Sequence, residues 1–166
     1  MKPKVFVASA SESLEVAYAV QEELGDDAEV TVWSQYFGVP MRTVLETLLD
    51  VLQHTEFAVF VFSPHDAAVI RGEERPTVRD NVLFELGLFV GRLGRERNFI
   101  LVPKVEPSIR LPTDLLGVVT LDYDPERSDR NLRAALGPSC NRIRTILRAP
   151  KPSMQDGEGA SSTPSP

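Results

Sequence analysis

Residues 56–63 read EFAVFVFS, an almost uninterrupted apolar run that predicts a β-strand covered on both faces. Strands of this kind are typical of parallel sheets, in which crossover helices pack on either side. Four shorter β-favouring runs lie before and after it, at residues 4–8, 29–33, 98–102 and 118–121. Because segments with helical periodicity separate these runs, the sequence predicts an α/β, flavodoxin-like three-layer sandwich. The expected five-stranded parallel sheet has the order 2-1-3-4-5, with helices on both faces.

The composition predicts one folded domain followed by a short tail. The chain has 166 residues, of which 42% are hydrophobic and 25% charged, enough to form a core. Residues 1–148 carry all the predicted elements. Residues 149–166 are rich in proline, serine and glycine and have almost no large apolar side chain, so we expect a flexible tail or linker.

Charge and targeting signals narrow the partners and the compartment. The net charge of −6 disfavours binding to nucleic acids or anionic membranes. No apolar run reaches the roughly 18 residues of a transmembrane helix, and the N-terminus lacks the features of a signal peptide. A single cysteine, Cys140, cannot form an internal disulfide, which suits a reducing compartment. We therefore expect a cytoplasmic protein.

Residues 64–78 form a long predicted connection between elements and include the charged stretch 71–76. Connections of this length are uncommon in compact domains and are often functional. We expect this one to be an exposed and mobile loop.

The next predicted helix, residues 81–91, carries one charge among apolar side chains. Apolar residues occupy every side, which predicts a buried helix. The charge belongs to Glu85, and Asn81 lies one turn earlier on the same face. A buried carboxylate is costly unless it is paired or functional. Two interpretations stay open: a structural carboxylate that pairs with Arg79 or Arg92 or faces solvent through a gap, and a catalytic group.

Parallel sheets bind ligands beyond the carboxyl ends of their strands, where the strand order reverses. Three segments emerge there, at residues 9–11, 33–38 and 63–80. Ser9 and Ser11 either cap a helix or hold a phosphate at its N-terminus. Trp33 either packs in the core or stacks on a ligand ring, and Arg79 either forms an ordinary ion pair or binds phosphate.

Several familiar catalytic motifs are absent from the sequence. There is no GxGxxG after the first strand, no P-loop and no GxSxG nucleophile elbow. No cysteine–histidine cluster has the spacing of a metal site, and His54 and His65 have no partners at metal or triad spacing. The acidic residues that a phospho-receiver domain carries after its first and third strands are also missing. We therefore expect no metal centre.

Residues 79–94 read RDNVLFELGLFVGRLG, with an Arg-Asp-Asn-x-x-Phe-Glu-x-Gly core. This stretch resembles the signature of predicted nucleotide-binding TIR domains of bacterial anti-phage systems. In those systems the TIR domain is fused to a STING-type or other cyclic-nucleotide sensor. Three further segments are similar in the same order, at residues 5–9, 32–35 and 60–66, and the resemblance extends over residues 4–148.

The resemblance implies an NAD⁺ hydrolase that cleaves the bond between nicotinamide and ribose, with Glu85 as the catalytic residue. It also implies a set of substrate-binding residues: Ser9, Ser11, Trp33, Gln35, Phe37, Asp66, Arg79 and Asn81. NAD⁺ is then the substrate, and neither a cofactor nor a metal is required. TIR domains of this kind resemble effectors of anti-phage defence that are activated by oligomerisation. The expected partners are other TIR domains and a fused or associated cyclic-nucleotide sensor.

Three other functions stay open at this point. Nucleoside deoxyribosyltransferases have a related fold and also cleave an N-glycosidic bond with a glutamate. A TIR scaffold would only bind other TIR domains, and a small-nucleotide sensor would occupy the same crevice without reacting. A scaffold does not explain a lone carboxylate within an apolar helix, so the residues favour the hydrolase.

Overall fold

The computed structural model describes residues 1–36, 43–64, 66–70, 73–106, 108–109, 111, 115 and 118–149, with the backbone alone for residues 66–70 and 73–76. The predicted substrate-binding role of Phe37 falls outside the described residues. So does the predicted flexible tail, apart from its first residue, Ala149.

Strands and helices alternate along most of the chain. The strands are β1 (Lys4–Ser9), β2 (Glu29–Val32), β3 (Phe57–Val61), β4 (Asp66–Ile70), β5 (Glu73–Thr77), β6 (Asn98–Pro103) and β7 (Val119–Tyr123). The α-helices are α1 (Leu14–Leu24), α2 (Val44–His54), α3 (Asp80–Leu93) and α4 (Leu132–Leu147). Short 3₁₀ turns cover Ser11–Ser13, Trp33–Gln35 and Arg95–Arg97.

The main sheet has five parallel strands in the order β2-β1-β3-β6-β7. These are the five strands that the sequence predicts, in the predicted order 2-1-3-4-5, so the α/β fold class is confirmed. The strand β1 pairs with both β2 and β3, with Val7 opposite Val32 on one side and Val59 on the other. The order reverses at β1, and the carboxyl ends of β1, β2 and β3 lie side by side there.

Alternating side chains of the sheet enter two separate cores. Val5 and Val7 of β1 pack in a cluster with α1 and α4, whereas Phe6 and Ala8 pack in a cluster with α2 and α3. All four are at most 2% exposed, as expected for a strand with helices on both of its faces. The sheet is therefore the middle layer of a three-layer sandwich.

The connection predicted as a loop at residues 64–78 is instead largely an antiparallel hairpin. Its strands β4 and β5 pair with Asp66 opposite Thr77 and form a two-stranded sheet apart from the main one. The strand β5 contains Glu73, Glu74 and Pro76, and glutamate and proline are residue types that occur rarely in strands. The sequence pattern therefore does not predict β5. Proline is tolerated here because each strand of a two-stranded sheet is an edge strand.

The helix α3 is buried on one face and not all round, contrary to the sequence prediction. Phe89 is fully buried, and its ring stacks on Phe6 at 5.2 Å and meets Phe60 edge-on at 5.6 Å. Phe84 lies on another side of the helix and is 56% exposed. The difference arises because α3 belongs to the outer layer of the sandwich, so part of its apolar surface faces solvent.

Candidate active site

A cavity of about 310 Å³ opens beyond the carboxyl ends of β1 and β2. It is lined by Ser9, Ala10, Ser11, Trp33, Val44, Arg79, Asn81 and Glu85. This is the position at which open parallel sheets bind ligands. The fold therefore brings together six of the residues that the sequence marks as site candidates: Ser9, Ser11, Trp33, Arg79, Asn81 and Glu85.

Two neighbouring strand ends form one wall of the cavity. Ser9 is the last residue of β1 and is 6% exposed, and Trp33 directly follows β2. The indole Nε1 of Trp33 donates a 2.9 Å hydrogen bond to the Ser9 Oγ atom. Trp33 also packs against both cores of the domain. Its side chain thus has the core-packing role and also forms a surface of the cavity.

Glu85 projects from the middle of α3 into the cavity and is partly buried. Within the described part of the chain, no hydrogen bond or ion pair holds its carboxylate, so the proposed structural pairing with Arg79 or Arg92 is not found. Burial raises the pKa of Glu85 from 4.5 to about 7. A carboxyl group with this pKa exists in both protonation states near neutral pH.

Arg79 is held by another residue at the edge of the cavity. It is the N-cap residue of α3, and its Nη2 atom donates a 2.9 Å hydrogen bond to Oε1 of Glu12, in the 3₁₀ turn after β1. Its side chain is 36% exposed. Asn81 is exposed and lies one helical turn before Glu85, with both residues lining the cavity. A cation, an amide and a carboxyl group therefore surround the same space.

Two predicted substrate-binding residues do not contribute a described side chain to this cavity. The Oε1 atom of Gln35 accepts hydrogen bonds from the backbone N–H of Val32 at 2.9 Å and from Gln21 at 3.0 Å. Gln35 is absent from the cavity lining, so the structure gives it a role in holding the turn after β2. Asp66 begins β4, and its backbone alone is described.

Two lining residues, Ala10 and Val44, are not among the sequence candidates. Val44 begins α2, directly after the cap residue Thr43. The Thr43 Oγ1 atom accepts from the Glu46 N–H at 3.2 Å, and Glu46 Oε2 accepts from the Thr43 N–H at 2.8 Å. This reciprocal cap has a sequence signature, Thr-x-x-Glu, that locates the start of the helix at the carboxyl edge of the sheet. The signature could have identified Val44.

The described residues offer no metal site, no membrane-spanning helix and no reactive cysteine. No group of three or more histidine, cysteine, aspartate or glutamate side chains is placed to hold a metal ion there. None of the helices in the described ranges has the length and apolar character needed to cross a bilayer. Cys140 is fully buried on the opposite face of the sheet, and burial raises its pKa to about 12, so its thiol is unreactive.

Residues 4–125 match the family model described as "CAP12/Pycsar effector protein, TIR domain". The chain belongs to this family. The match confirms the TIR-like resemblance of residues 79–94. This TIR domain is 40% identical to the Pycsar effector protein PaPycTIR of Pseudomonas aeruginosa over an alignment of 144 residues. The alignment covers 86% of this chain and 46% of that relative.

Other similar relatives are named CD-NTase-associated protein 12 instead of Pycsar effector protein. The domain is 36% identical to CD-NTase-associated protein 12 of Flavobacterium daejeonense over an alignment of 124 residues. The alignment covers 75% of this chain and 39% of that relative. The chain thus spans about half the length, or less, of these curated relatives. The TIR domain of the Toll-related receptor TRR-2 of Hydra magnipapillata has a TM-score of 0.55 at 15% identity, with 86% of this chain and 96% of that chain covered. This likeness shows that the fold is that of a TIR domain.

Proposed function

We propose that this TIR domain cleaves NAD⁺ at the bond between nicotinamide and ribose, as an effector of anti-phage defence. One observation carries the proposal. Glu85 presents a carboxyl group without a described partner to a cavity at the switch point of the sheet, and its pKa is raised to about 7. Buried carboxyl groups with perturbed pKa values in a cleft are typical of catalytic sites.

The reaction suits a site that has one carboxylate instead of two. The nicotinamide of NAD⁺ is a pyridinium cation, so the electron pair of the broken bond leaves it as a neutral base that needs no proton. A general acid is therefore unnecessary, unlike in most glycosidases. Positive charge develops on the ribose in the transition state. Water then adds to the ribose carbon and loses a proton, which gives ADP-ribose.

Glu85 acts on this transition state through its charge. An ionised carboxylate beside the ribose carbon stabilises the developing cation, and the effect is strong where water is largely excluded. Half-burial disfavours the ionised form of Glu85 in the free domain. The pyridinium ring of the bound substrate favours that form, because an opposite charge nearby lowers the pKa of a carboxyl group.

The remaining lining residues match parts of the substrate. The aromatic face of Trp33 suits stacking on a ring, and Arg79 at the rim suits the diphosphate. Asn81 can hydrogen-bond ribose hydroxyl groups one turn from Glu85. A volume of about 310 Å³ lies at the lower end of the range for small-molecule pockets, so we place the nicotinamide riboside half inside and the adenosine half beyond the rim.

Self-association would bring a second copy of the chain to this rim. Four large apolar side chains are exposed on α2 and α3: Val44 at 63%, Leu45 at 47%, Leu49 at 43% and Phe84 at 56%. We call them the apolar patch. Val44 belongs both to the patch and to the cavity lining. A second TIR domain on the patch would bury apolar surface and cover the mouth of the cavity.

A cyclic-nucleotide sensor completes the proposed system. The curated relatives named as effectors are about twice as long as the segment that they share with this chain. We propose that a sensor domain, fused or associated, binds a cyclic nucleotide and drives the TIR domains together. The loss of NAD⁺ would then stop the infected cell.

A substrate panel tests the proposal against the deoxyribosyltransferase alternative. The domain, fused to an inducible oligomerisation module, is incubated with NAD⁺ or with deoxynucleosides, and the free bases are quantified by chromatography. We expect nicotinamide release from NAD⁺ after oligomerisation and no base release from deoxynucleosides. Base release from deoxynucleosides alone would favour the transferase, and no release from any substrate would favour a scaffold or sensor.

A further inference from the structure

The cavity contains two side chains of opposite charge that do not meet. Arg79 and Glu85 both line it, and they are its charged members within the described chain. The Arg79 Nη2 atom lies instead 2.9 Å from Oε1 of Glu12. The side chains of this ion pair, Arg79 and Glu12, are 36% and 43% exposed, so the pair lies at the rim of the cavity and not at its floor.

We infer that Glu12 is a positioning residue of this site: its carboxylate keeps the Arg79 guanidinium at the rim and thereby prevents an ion pair between Arg79 and Glu85. The inference rests on the proposed function, because it explains how the reactive carboxylate stays available. Glu12 follows Ser11, which lines the cavity, so the turn after β1 places the glutamate beside the opening.

Arg79 and Glu85 are within reach of each other along α3. Glu85 lies six positions after the N-cap residue Arg79, an axial separation of about 9 Å in a helix. An extended arginine and an extended glutamate together span this distance, and both side chains already face the same cavity. Glu12 therefore competes with Glu85 for the Arg79 guanidinium.

No other charged side chain of the lining competes for Glu85 in the described structure. The lining residues around it are Ser9 at the end of β1, Ala10 and Ser11 after β1, Trp33 after β2, Val44 on α2, and Arg79 and Asn81 at the start of α3. The raised pKa of Glu85 has burial as its one cause, which agrees with an arginine that is held elsewhere. We therefore expect that removing the charge of Glu12 shifts the Arg79 guanidinium toward the carboxylate of Glu85.

An ion pair between Arg79 and Glu85 would harm the proposed reaction in two ways. The guanidinium would neutralise the charge that stabilises the ribose cation, and it would fill space that the ribose needs. At the rim, the same guanidinium remains placed for the diphosphate, whose charge competes with that of the Glu12 carboxylate. Glu12 therefore separates the binding charge from the catalytic charge.

The test is an NMR titration that needs no enzymatic activity. Protein labelled with ¹³C at the glutamate carboxyl carbons is titrated, and the Glu85 signal is assigned by its loss in Glu85→Gln. We compare the wild type with Glu12→Gln, with the double variant Glu12→Gln/Arg79→Met, and with Glu15→Gln. The last is a matched control, since Glu15 is exposed near the same turn and the change removes the same charge.

We expect the Glu85 midpoint near 7 in the wild type and a decrease of at least about one pH unit in Glu12→Gln, the effect of a nearby cation on a carboxyl group. Glu15→Gln should leave the midpoint in place, and the double variant should restore it. An unchanged midpoint in Glu12→Gln would overturn the inference, as would a wild-type midpoint already near 4.5. Because no NAD⁺ is added, failure of the hydrolase proposal would leave this result interpretable.

Discussion

The indole nitrogen of Trp33 donates a hydrogen bond of 2.9 Å to the hydroxyl oxygen of Ser9, across the ends of two adjacent parallel strands. The bond holds the indole in a fixed orientation beside the cavity. A ring fixed in this way offers its face to a ligand without losing further conformational freedom when the ligand binds. The Trp33–Ser9 pair therefore fixes one wall of the cavity in which we propose that the substrate binds.

Replacement of Trp33 by phenylalanine should weaken substrate binding without stopping the reaction. Phenylalanine keeps an aromatic face but cannot donate to Ser9, so its ring must be ordered when the substrate binds. We expect KM for NAD⁺ to rise by roughly 3- to 10-fold, the cost of immobilising one side chain, with little change in kcat. Ser9→Ala should have the same effect, and the double variant should add nothing further. Unchanged KM in Trp33→Ala, measured by steady-state kinetics, would remove Trp33 from the site.

A charge placed in the apolar patch should uncouple the domain from its own copies. Leu45→Glu or Leu49→Glu puts a carboxylate where a second copy would bury apolar surface, so we expect a loss of self-association and of the activity that depends on it. Both leucines are more than 40% exposed, so stability should change by about 0.5 kcal/mol or less. Sedimentation and nicotinamide release are measured against protein concentration. Gln53→Glu, exposed on the same helix, is the control and should behave as the wild type.

The pH dependence of the activity should follow the ionisation of Glu85. Protonated Glu85 is neutral and cannot stabilise a ribose cation, so kcat/KM should rise about tenfold per pH unit below the free-enzyme pKa of about 7 and level off above it. Initial rates across this range measure the profile. A profile without a limb near 7 would show that the ionisation of Glu85 does not control the reaction.

Loss of the Glu85 charge should stabilise the fold at alkaline pH. The folded protein keeps the Glu85 proton up to a pH of about 7, whereas the ordinary pKa is 4.5. Between these values the folded state binds more protons than the unfolded state, so the free energy of unfolding falls as pH rises. At about pH 8, Glu85→Gln should therefore raise the free energy of unfolding by on the order of 2 kcal/mol and Tm by several degrees.

The same substitution should give no stabilisation at about pH 4, where the carboxyl group is protonated in both states. Thermal melts at the two pH values measure the difference, with Glu15→Gln as an exposed control. An equal effect of Glu85→Gln at both values would mean that burial of the charge does not cost stability.

The sequence predicts the main sheet because each of its strands has a recognisable pattern. The apolar run at residues 56–63 marks a strand between two helical layers, and the four other runs alternate with helical periodicity. The hairpin β4–β5 is not predicted, because its second strand contains charged residues and Pro76. The sequence of this strand also lacks the alternation of apolar and polar residues that marks a half-buried strand. Its pairing depends on backbone hydrogen bonds, which leave no periodicity in the sequence.

The candidate site is predicted in part, for a similar reason. Strand ends identify Ser9 and Trp33, and the lone charge of an apolar helix identifies Glu85. Glu12 is not predicted, since nothing in the local sequence indicates that it meets Arg79, 67 positions away. The exposure of Phe84 also depends on which neighbours cover α3, and this is decided by packing in three dimensions.

Release of nicotinamide from NAD⁺ by the wild type and by Glu85→Gln, at high protein concentration and about pH 8, tests the central claim most directly. Glutamine keeps the shape of the side chain and removes its charge, so it leaves the cavity in place. We predict steady release by the wild type and a decrease of at least about 100-fold in Glu85→Gln, the typical cost of losing one electrostatic stabiliser. Equal release by the two proteins would contradict the account.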